Sequence, residues 1–328
     1  METDQEFPTM FDTSTCVRKG LCPVMKLRGQ DQDPLESHSL YFEQHGNGSK
    51  QKVIFIMGLN SSCFAWSKQV LYFSGRDRRL RNDYSVLVFD NRGVGNSGTP
   101  RGPYTTDGMA SDVVALLDFV GWTGKHEVNI VGISLGGMIA MKLAALVPER
   151  INSLTLAVTT PGGHFWQNLP SWKGLTSLAR LIVTADYGAK AKIILPMLYP
   201  ESWLEQLSEE DQKRTNWQVQ TEGLLRRMAI TRPQGLMGHI SQMIAALAHH
   251  VTPESLAHIS RTIPKVTIVT GDNDHLVDPR GSLLLKEHMP EAEYVRWRET
   301  GHALNAQHES RFNALLERTF MEGSERRL

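Results

Sequence analysis

The 328-residue sequence is poor in features that would mark an extracellular, membrane-spanning or nucleic-acid-binding protein. It has three cysteines, too few for a disulfide framework, which favours a reducing compartment. It has no run of about 18 apolar residues, so no transmembrane helix is predicted. Its 35 basic residues are balanced by 35 acidic ones, which gives no electrostatic reason to expect nucleic acid or an anionic membrane surface as a partner.

The two ends of the chain carry no complete targeting signal. The first six residues are acidic and polar and lack the basic and apolar regions of a secretory signal. The last three, Arg326 to Leu328, resemble the peroxisomal Ser-Lys-Leu address but lack its small first residue. We therefore predict a cytoplasmic protein, with a peroxisomal location as the minor alternative. The spacing of Cys16 and Cys22 matches no zinc-site pattern, and neither a metal nor a cofactor is predicted.

Short apolar runs rich in β-branched residues alternate along the chain with helical patterns. The run at residues 53–57 is continuously apolar and the others are mostly apolar, which is typical of strands buried on both faces of a parallel sheet. Amphipathic helices are predicted at about residues 109–120, 138–147 and 312–320. This alternation predicts an α/β fold with a doubly wound, mostly parallel sheet. The predicted strands cover residues 53–57, 85–89, 128–131, 154–158, 266–269 and 294–297.

The alternation is interrupted between about residues 161 and 264, where helical periodicity continues without a convincing strand. We interpret this segment as a helical cap inserted into a core formed by residues 37–160 and 265–328. Most of its apolar side chains are expected to pack helix against helix, and the rest to line a substrate pocket. Residues 1–36 show no sustained periodicity, and an irregular lead-in is predicted there. Nothing in the sequence indicates the oligomeric state.

A serine follows the predicted strand 128–131 in a glycine-rich turn. Residues 132–136 read Gly-Ile-Ser-Leu-Gly and match the nucleophile elbow G-x-S-x-G, in which small neighbours permit a tight turn from strand to helix. The pentapeptide alone is weak evidence, but here it lies between a buried strand and a helix, as the motif requires. We therefore predict Ser134 as a nucleophile, against the alternative of a serine in an ordinary glycine-rich turn.

A serine nucleophile needs a histidine to take its proton and a carboxylate to orient that histidine. In sites of this kind the chain order is serine, acid, histidine. Asp272 and Asp274 both follow the strand 266–269, at the edge where α/β sheets place their sites, and either can serve. His302 is the predicted base, because it lies in a loop between the strand 294–297 and the last helix. The alternative bases, judged by their placement, are His275, His164 and His308.

Acyl transfer also requires backbone donors for the oxyanion. The amide of Leu135, directly after the nucleophile and at a helix N-terminus, is predicted as one donor. The amide of Leu59, in the loop after the strand 53–57, is predicted as the second. Cys63 in the same loop is interpreted as a small buried side chain rather than a reactive thiol.

Residues 93–98 satisfy the dinucleotide-binding pattern G-x-G-x-x-G after a strand. A dinucleotide site also needs a helix to begin there, so that its N-terminus can hold the pyrophosphate. Two prolines, Pro100 and Pro103, follow instead. We therefore exclude nucleotide binding and interpret Asp90 and Arg92 as structural anchors of the loop.

In their order, these motifs resemble the α/β-hydrolase superfamily, over roughly residues 40–316 apart from the cap. The resemblance implies an acyl-enzyme mechanism without a metal or cofactor. The family's Gly-x-x-Asp pattern selects Asp274 over Asp272 as the acid. The four matching features are the loop around Gly58, the segment 90–97, the elbow at Ser134, and Gly271 and Asp274 followed by Gly301 and His302.

The loops at residues 57–60 and 301–304 are similar to those of esterases related to aclacinomycin methylesterase, which favours an apolar carboxylic ester as substrate. The family often has His-Gly in the first loop, where this chain has Met57 and Gly58. Because the donor there is a backbone amide, we expect activity to survive. Thioester hydrolysis, carbon–carbon bond hydrolysis and a slow or non-catalytic ligand receptor stay open as alternatives.

Overall fold

The computed structural model describes residues 7–24, 38–76 and 82–326. Their centre is one eight-stranded sheet, whose order across the sheet is β1-β2-β4-β3-β5-β6-β7-β8. β2 pairs antiparallel with both of its neighbours, β1 and β4. The strands β3 to β8 run parallel to one another. The strands are β1 (Cys16–Val24), β2 (His38–His45), β3 (Gln51–Ile56), β4 (Tyr84–Phe89), β5 (Val128–Ile133), β6 (Ile151–Ala157), β7 (Lys265–Gly271) and β8 (Glu293–Trp297).

Helices pack on both faces of the sheet. Along β3, Ile54 and Ile56 join one apolar cluster and Val53 and Phe55 join the other, because successive side chains of a strand point to opposite faces. The helices are α1 (Ser67–Leu71), α2 (Thr106–Phe119), α3 (Leu135–Leu146), α4 (Trp172–Val183), α5 (Tyr187–Leu198), α6 (Glu201–Leu204), α7 (Asn216–Ile230), α8 (Leu236–Leu247), α9 (Pro253–Thr262), α10 (Pro279–His288), α11 (Leu304–Gln307) and α12 (Glu309–Glu325).

The predicted α/β architecture is confirmed. All six predicted strands are present within a few residues of their predicted bounds, and α2, α3 and α12 occupy the predicted helical segments. β4, β5, β6 and β7 are buried at every position, which is why apolar residues predominate in each of them.

The prediction of an irregular lead-in over residues 1–36 is wrong for its middle part. Residues 16–24 form the edge strand β1, which pairs with β2, and Phe11 is buried against the core. The strand escapes detection because an edge strand on the surface leaves most of its side chains exposed, so its sequence is not continuously apolar. β2 was not predicted either, because the buried polar side chains of Glu43 and His45 interrupt its apolar run.

Between β6 and β7 the chain forms the helices α4 to α9 and no strand of the sheet. The two ends of this segment lie next to each other, because the amide of Val251 donates to the carbonyl of Pro161 at 2.9 Å. The last helix differs from the predicted cap. α9 packs on α3 and α10, and its Leu256 and Ile259 are buried in the same cluster as the sheet. The insertion therefore returns to the core before α9, about ten residues earlier than the predicted boundary at 264.

Within the described ranges, no helix has the length and apolarity needed to cross a lipid bilayer. All three cysteines are free. Of the C-terminal tripeptide considered as a peroxisomal address, residues 327 and 328 lie outside the described residues.

Candidate active site

Ser134 lies at the sharp turn between β5 and α3, with backbone angles of φ 57° and ψ −123°. Such a conformation is strained for a residue other than glycine and occurs mainly where function requires it. Small neighbours make the turn possible. A Cβ atom at Gly132 would lie 2.3 Å from the carbonyl oxygen of Gly136, and one at Gly136 would lie 2.1 Å from that of Ile56. The strand-turn-helix context predicted for the elbow is therefore present.

The turn is held by the next strand as well as by its own helix. The amide of Ser134 donates to the carbonyl of Ala157 at the end of β6, at 3.0 Å. The hydroxyl of Thr159 donates to the carbonyl of Ser134 at 2.8 Å. Thr159 was not singled out in the sequence, because only the pairing of β5 with β6 brings it beside the turn.

His302 and Asp274 form a direct pair. His302 Nδ1 lies 2.7 Å from Asp274 Oδ2, and both side chains are almost completely shielded from solvent. The other carboxylate oxygen of Asp274 accepts hydrogen bonds from the amides of Leu276 (2.8 Å) and Val277 (3.0 Å). These two bonds fix the plane of the carboxylate. With Nδ1 donating to Asp274, the Nε2 atom of His302 carries the lone pair that a general base needs.

Asp272, the competing acid, points elsewhere. Its carboxylate accepts a long 3.4 Å hydrogen bond from the amide of Thr300, and its own amide donates to the carbonyl of Trp297. Asp272 thus ties the end of β7 to the loop that carries His302, while Asp274 contacts the imidazole. This geometry agrees with the selection of Asp274 by the Gly-x-x-Asp pattern.

The three alternative bases have other surroundings. The ring of His308 lies 3.0 Å from the Thr300 hydroxyl, and burial lowers the pKa of its imidazole. The exposed ring of His164 stacks on Trp166, with ring centroids 4.6 Å apart. His275 contributes its carbonyl oxygen, which accepts a 2.5 Å hydrogen bond from the serine that caps α4. The hydrogen bond and ion pair with Asp274 are made by His302.

The loop that carries Leu59 lies directly against the nucleophile. A Cβ atom at Gly58 would be 3.0 Å from the Cβ of Ser134 and 3.5 Å from its hydroxyl oxygen. Leu135 is the first residue of α3, where the amide has no acceptor within the helix. The two predicted oxyanion donors therefore belong to segments that meet at Ser134, and a glycine at position 58 is needed for that close approach.

Two polar side chains hold this loop, and one of them comes from the cap. Asn91 Nδ2 donates to the carbonyl of Met57 at 2.8 Å, and Asn60 N donates to Gln242 Oε1 at 2.9 Å. Gln242, on α8, is fully buried and also donates to the carbonyl of Arg92 at 2.8 Å. The sequence contained one signal for Gln242 that was missed: it is an amide side chain within the apolar stripe of a helix.

Asp90 and Arg92 anchor the loop after β4, as predicted. The carboxylate of Asp90 accepts from the amides of Cys63 and Asn96, both at 2.8 Å. Complete burial raises the pKa of Asp90 to about 6, although these amide bonds favour its ionised form. Arg92 forms a buried two-pronged ion pair with Asp112, with both distances 2.6 Å. Cys63 is fully buried, in line with its interpretation as a core side chain.

The three predicted catalytic residues lie at one edge of the sheet. Ser134 follows β5, Asp274 follows β7 and His302 follows β8, so all three project from the carboxyl ends of parallel strands. The Ser134 hydroxyl and the His302 ring are not joined by a hydrogen bond in the described part of the chain. In enzymes without substrate this contact is often long, and it shortens when substrate binds.

The family model described as alpha/beta hydrolase fold matches residues 52–309. The chain belongs to the α/β-hydrolase fold family. The match includes the elbow, the acid and the histidine, and it spans the cap as well as the core.

Several proteins to which the chain is similar are named for hydrolytic activities. The chain is 32% identical over 152 residues to 3-oxoadipate enol-lactonase 2 of Acinetobacter baylyi, a match that covers 44% of this chain and only about half, 53%, of the lactonase. It is 27% identical over 214 residues to a poly(3-hydroxyalkanoate) depolymerase of Ectopseudomonas oleovorans, covering 65% and 67% of the two chains. The structure of a thermophilic esterase from Thermogutta terrifontis superposes with a TM-score of 0.68 at 18% identity, over 93% of this chain and 99% of the esterase, which shows the shared fold.

Proposed function

We propose that this protein is a serine hydrolase that cleaves a carboxylic ester of an apolar small molecule through an acyl-enzyme on Ser134. The observation that carries the proposal is the pair of His302 and Asp274, 2.7 Å apart, on the same sheet edge as a serine held in the strained elbow conformation. Neither a metal nor a cofactor takes part in the proposed reaction.

The proposed reaction has two halves, acylation and deacylation of Ser134, and the same side chains and amides act in both. His302 Nε2 takes the proton of the Ser134 hydroxyl while the hydroxyl oxygen attacks the ester carbonyl. The amides of Leu59 and Leu135 stabilise the oxyanion, and Asp274 stabilises the imidazolium. His302 then gives the proton to the departing alcohol. Water, activated by the same imidazole, releases the acid and restores Ser134.

Apolar side chains of the cap favour an apolar substrate. Most of the exposed large apolar residues of the described chain lie in the inserted segment, and two helices that carry them flank the site. α4 adjoins the acid loop, because a Cβ at Gly174 would lie 2.8 Å from the carbonyl of His275. α8 holds the oxyanion loop through Gln242. Exposed apolar surface next to a polar reaction centre is typical of a binding site for apolar molecules.

The names of the two relatives point in the same direction. A lactone and a polyhydroxyalkanoate are both carboxylic esters of hydroxy acids, so the match to an enol-lactonase and a depolymerase supports ester cleavage. Thioester and carbon–carbon bond hydrolysis require the same triad and are the alternative reactions. The non-enzymatic alternative is a receptor that binds an ester and hydrolyses it slowly or not at all.

We also propose a cytoplasmic location. Three free cysteines, of which Cys22 and Cys63 are fully buried, suit a reducing compartment. The test is a fluorescent protein extended by residues 317–328 of this chain. Diffuse fluorescence is expected, and accumulation in peroxisomes would overturn the proposal.

The first test of function is the hydrolysis of p-nitrophenyl esters from acetate to palmitate. We expect a maximum at one acyl length, because the walls of the pocket set the length of acyl chain that fits. Ser134→Ala should lose about a thousandfold or more in turnover. Ser310→Ala, at an exposed serine of α12, is the matched control and should keep full activity.

A fluorophosphonate probe separates the alternatives. Labelling of wild-type protein but not of Ser134→Ala, together with ester turnover, supports the esterase. Labelling without turnover of any ester favours the receptor, or a thioester or carbon–carbon substrate, and a thioester series then distinguishes these. Absence of labelling at Ser134 would contradict every version of the proposal.

A further inference from the structure

The edge of the sheet formed by β1 and β2 carries a cluster of three side chains that can ligate a metal. The ligand atoms of Cys16, Glu43 and His45 all lie within 4.8 Å of one another. The strand register explains why they meet. Cys16 is paired directly with His45, and Glu43 lies two residues before His45 on β2, so the three share one face of the sheet.

The neighbouring Thr15 orients the ring of His45. The Thr15 hydroxyl donates its one proton to the carbonyl of Asp12, at 2.8 Å. Its 2.9 Å contact with His45 Nδ1 therefore requires Nδ1–H to donate and the hydroxyl to accept. A neutral His45 then presents a lone pair at Nε2. Metal-binding histidines usually make this kind of bond through the ring nitrogen that does not bind the metal.

Glu43 faces that lone pair with a carboxylate oxygen. Its Oε1 accepts from the hydroxyls of Tyr41 (2.6 Å) and Thr9 (2.7 Å). Its Oε2 lies 3.4 Å from His45 Nε2, and neither of these two buried atoms has a hydrogen-bond partner among the described residues.

Two facing buried polar atoms without a hydrogen-bond partner are costly inside a protein, and a cation bound between the carboxylate oxygen and the imidazole nitrogen satisfies both. The separation of 3.4 Å is longer than a usual N–H···O hydrogen bond, for which about 2.7–3.2 Å is typical. It suits two ligands of one tetrahedral zinc ion. With Zn–N and Zn–O bonds of about 2.0–2.2 Å, such ligands lie about 3.4 Å apart.

Cys16 is the third potential ligand, and it is the one of the three that solvent can reach. The residue is partly exposed, and it lines a surface cavity of about 340 Å³ that also reaches Thr15 and Gly46. The cavity provides a path for an ion and room for a water as fourth ligand. Binding of the ion as a thiolate complex releases the thiol proton of Cys16 to solvent. One thiolate and one carboxylate then neutralise the two charges of the ion.

We propose that Cys16, Glu43 and His45 bind one zinc ion, with water as the fourth ligand, and that this ion fastens the edge strand β1 to β2. The spacing of cysteines along the sequence predicted no metal, because the cluster arises only from the pairing of two strands that the sequence did not reveal. A thiolate, an imidazole and a carboxylate together suit zinc better than magnesium or calcium, which prefer oxygen ligands throughout.

The test uses the full chain, freed of metal with a chelator and titrated with Co²⁺ as a spectroscopic substitute and then with Zn²⁺. We expect one cobalt per chain, with a thiolate-to-cobalt charge-transfer band and the intense visible bands of tetrahedral cobalt, both removed by zinc. Cys16→Ser should lose the charge-transfer band and weaken binding about tenfold or more. Cys22→Ala, at a cysteine of the same strand, is the matched control and should keep both.

Stability provides a second measurement. Zinc should raise the melting temperature of the wild type and of Cys22→Ala but not that of Cys16→Ser, because an ion bound only by the folded state stabilises it. Ser134→Ala should bind cobalt like the wild type, so the proposal stands or falls independently of the esterase activity. Absence of cobalt bands in the wild type, or equal bands in Cys16→Ser, would overturn it and leave His45 and Glu43 as an ion pair.

Discussion

At the scale of single residues, the site depends on how two identical side chains are oriented. Asp274 has its carboxylate fixed by two amides and paired with His302, whereas the hydrogen bond that the Asp272 carboxylate makes within the described ranges is a 3.4 Å contact with the amide of Thr300. A carboxylate that orients the imidazole and stabilises its charge contributes only when it touches the ring. The two aspartates therefore form a matched pair for mutagenesis.

Asp274→Asn should lower kcat about a thousandfold or more, because the amide group favours the wrong tautomer of His302. Asp272→Asn should change kcat by less than about tenfold, since it alters one long hydrogen bond at some distance from the imidazole. Steady-state kinetics on the preferred p-nitrophenyl ester measure both. A silent Asp274→Asn together with an inactive Asp272→Asn would show that the acid is misassigned.

At the scale of elements, helix α8 of the inserted segment contacts the loop that we propose supplies an oxyanion donor. Gln242 joins the amide of Asn60 to the carbonyl of Arg92; the first bond is partly buried and the second is buried. Gln234 makes another bond between the cap segment and the core, 3.0 Å from its Nε2 to the carbonyl of Gly93, but it does not touch the loop at residues 57–60. Substitution of each glutamine therefore distinguishes two roles. Loss of Gln234 weakens the attachment of the inserted segment to the core, whereas loss of Gln242 also releases the loop at residues 57–60.

Gln242→Leu should reduce kcat about 10- to 100-fold while changing KM much less, because a displaced oxyanion donor weakens the transition state more than the bound substrate. Gln234→Leu should leave kcat nearly unchanged. Measurement of kcat and KM for both variants, with circular dichroism to verify folding, tests this assignment. Equal losses in the two variants would mean that Gln242 only attaches the cap.

At the scale of the whole molecule, His249 lies where the inserted segment rejoins the core. Its carbonyl accepts from Asn168, and its Nδ1 lies 3.0 Å from the hydroxyl of Thr106 at the start of α2. Burial, with the positive charges of Lys142 and His250, lowers the pKa of His249 to about 3. The unfolded chain binds a proton there near pH 6.5. The resulting stability is complete above pH 6.5 and is lost progressively as the pH falls toward 3.

Between pH 7.5 and pH 5, protonation of this one group should lower the free energy of unfolding by about 2 kcal/mol. His249→Asn keeps a polar atom near Thr106 but does not titrate, so its stability should fall less over this range. Urea unfolding at the two pH values measures the difference. His258→Asn, at an exposed histidine, is the control. An unchanged pH dependence in His249→Asn would contradict the assignment.

Features that depend on neighbours along the chain could be predicted from the sequence alone. The parallel core strands, their flanking helices and the elbow at Ser134 are local patterns, because complete burial makes a strand mostly apolar and a tight turn requires small residues. The order of the motifs also predicts His302 as the base, and resemblance to the family selects Asp274 as the acid. The pairing of these two side chains agrees with that selection.

Only the tertiary structure decided the features that depend on pairing between distant segments. The edge strand β1 appears where β2 supplies its partner, and the cluster of Cys16, Glu43 and His45 exists because of the register between these strands. Gln242 reaches the oxyanion loop across 182 positions of the chain. Such contacts leave little trace in local periodicity, because each residue type is compatible with its own helix or strand and acquires its role from what packs against it.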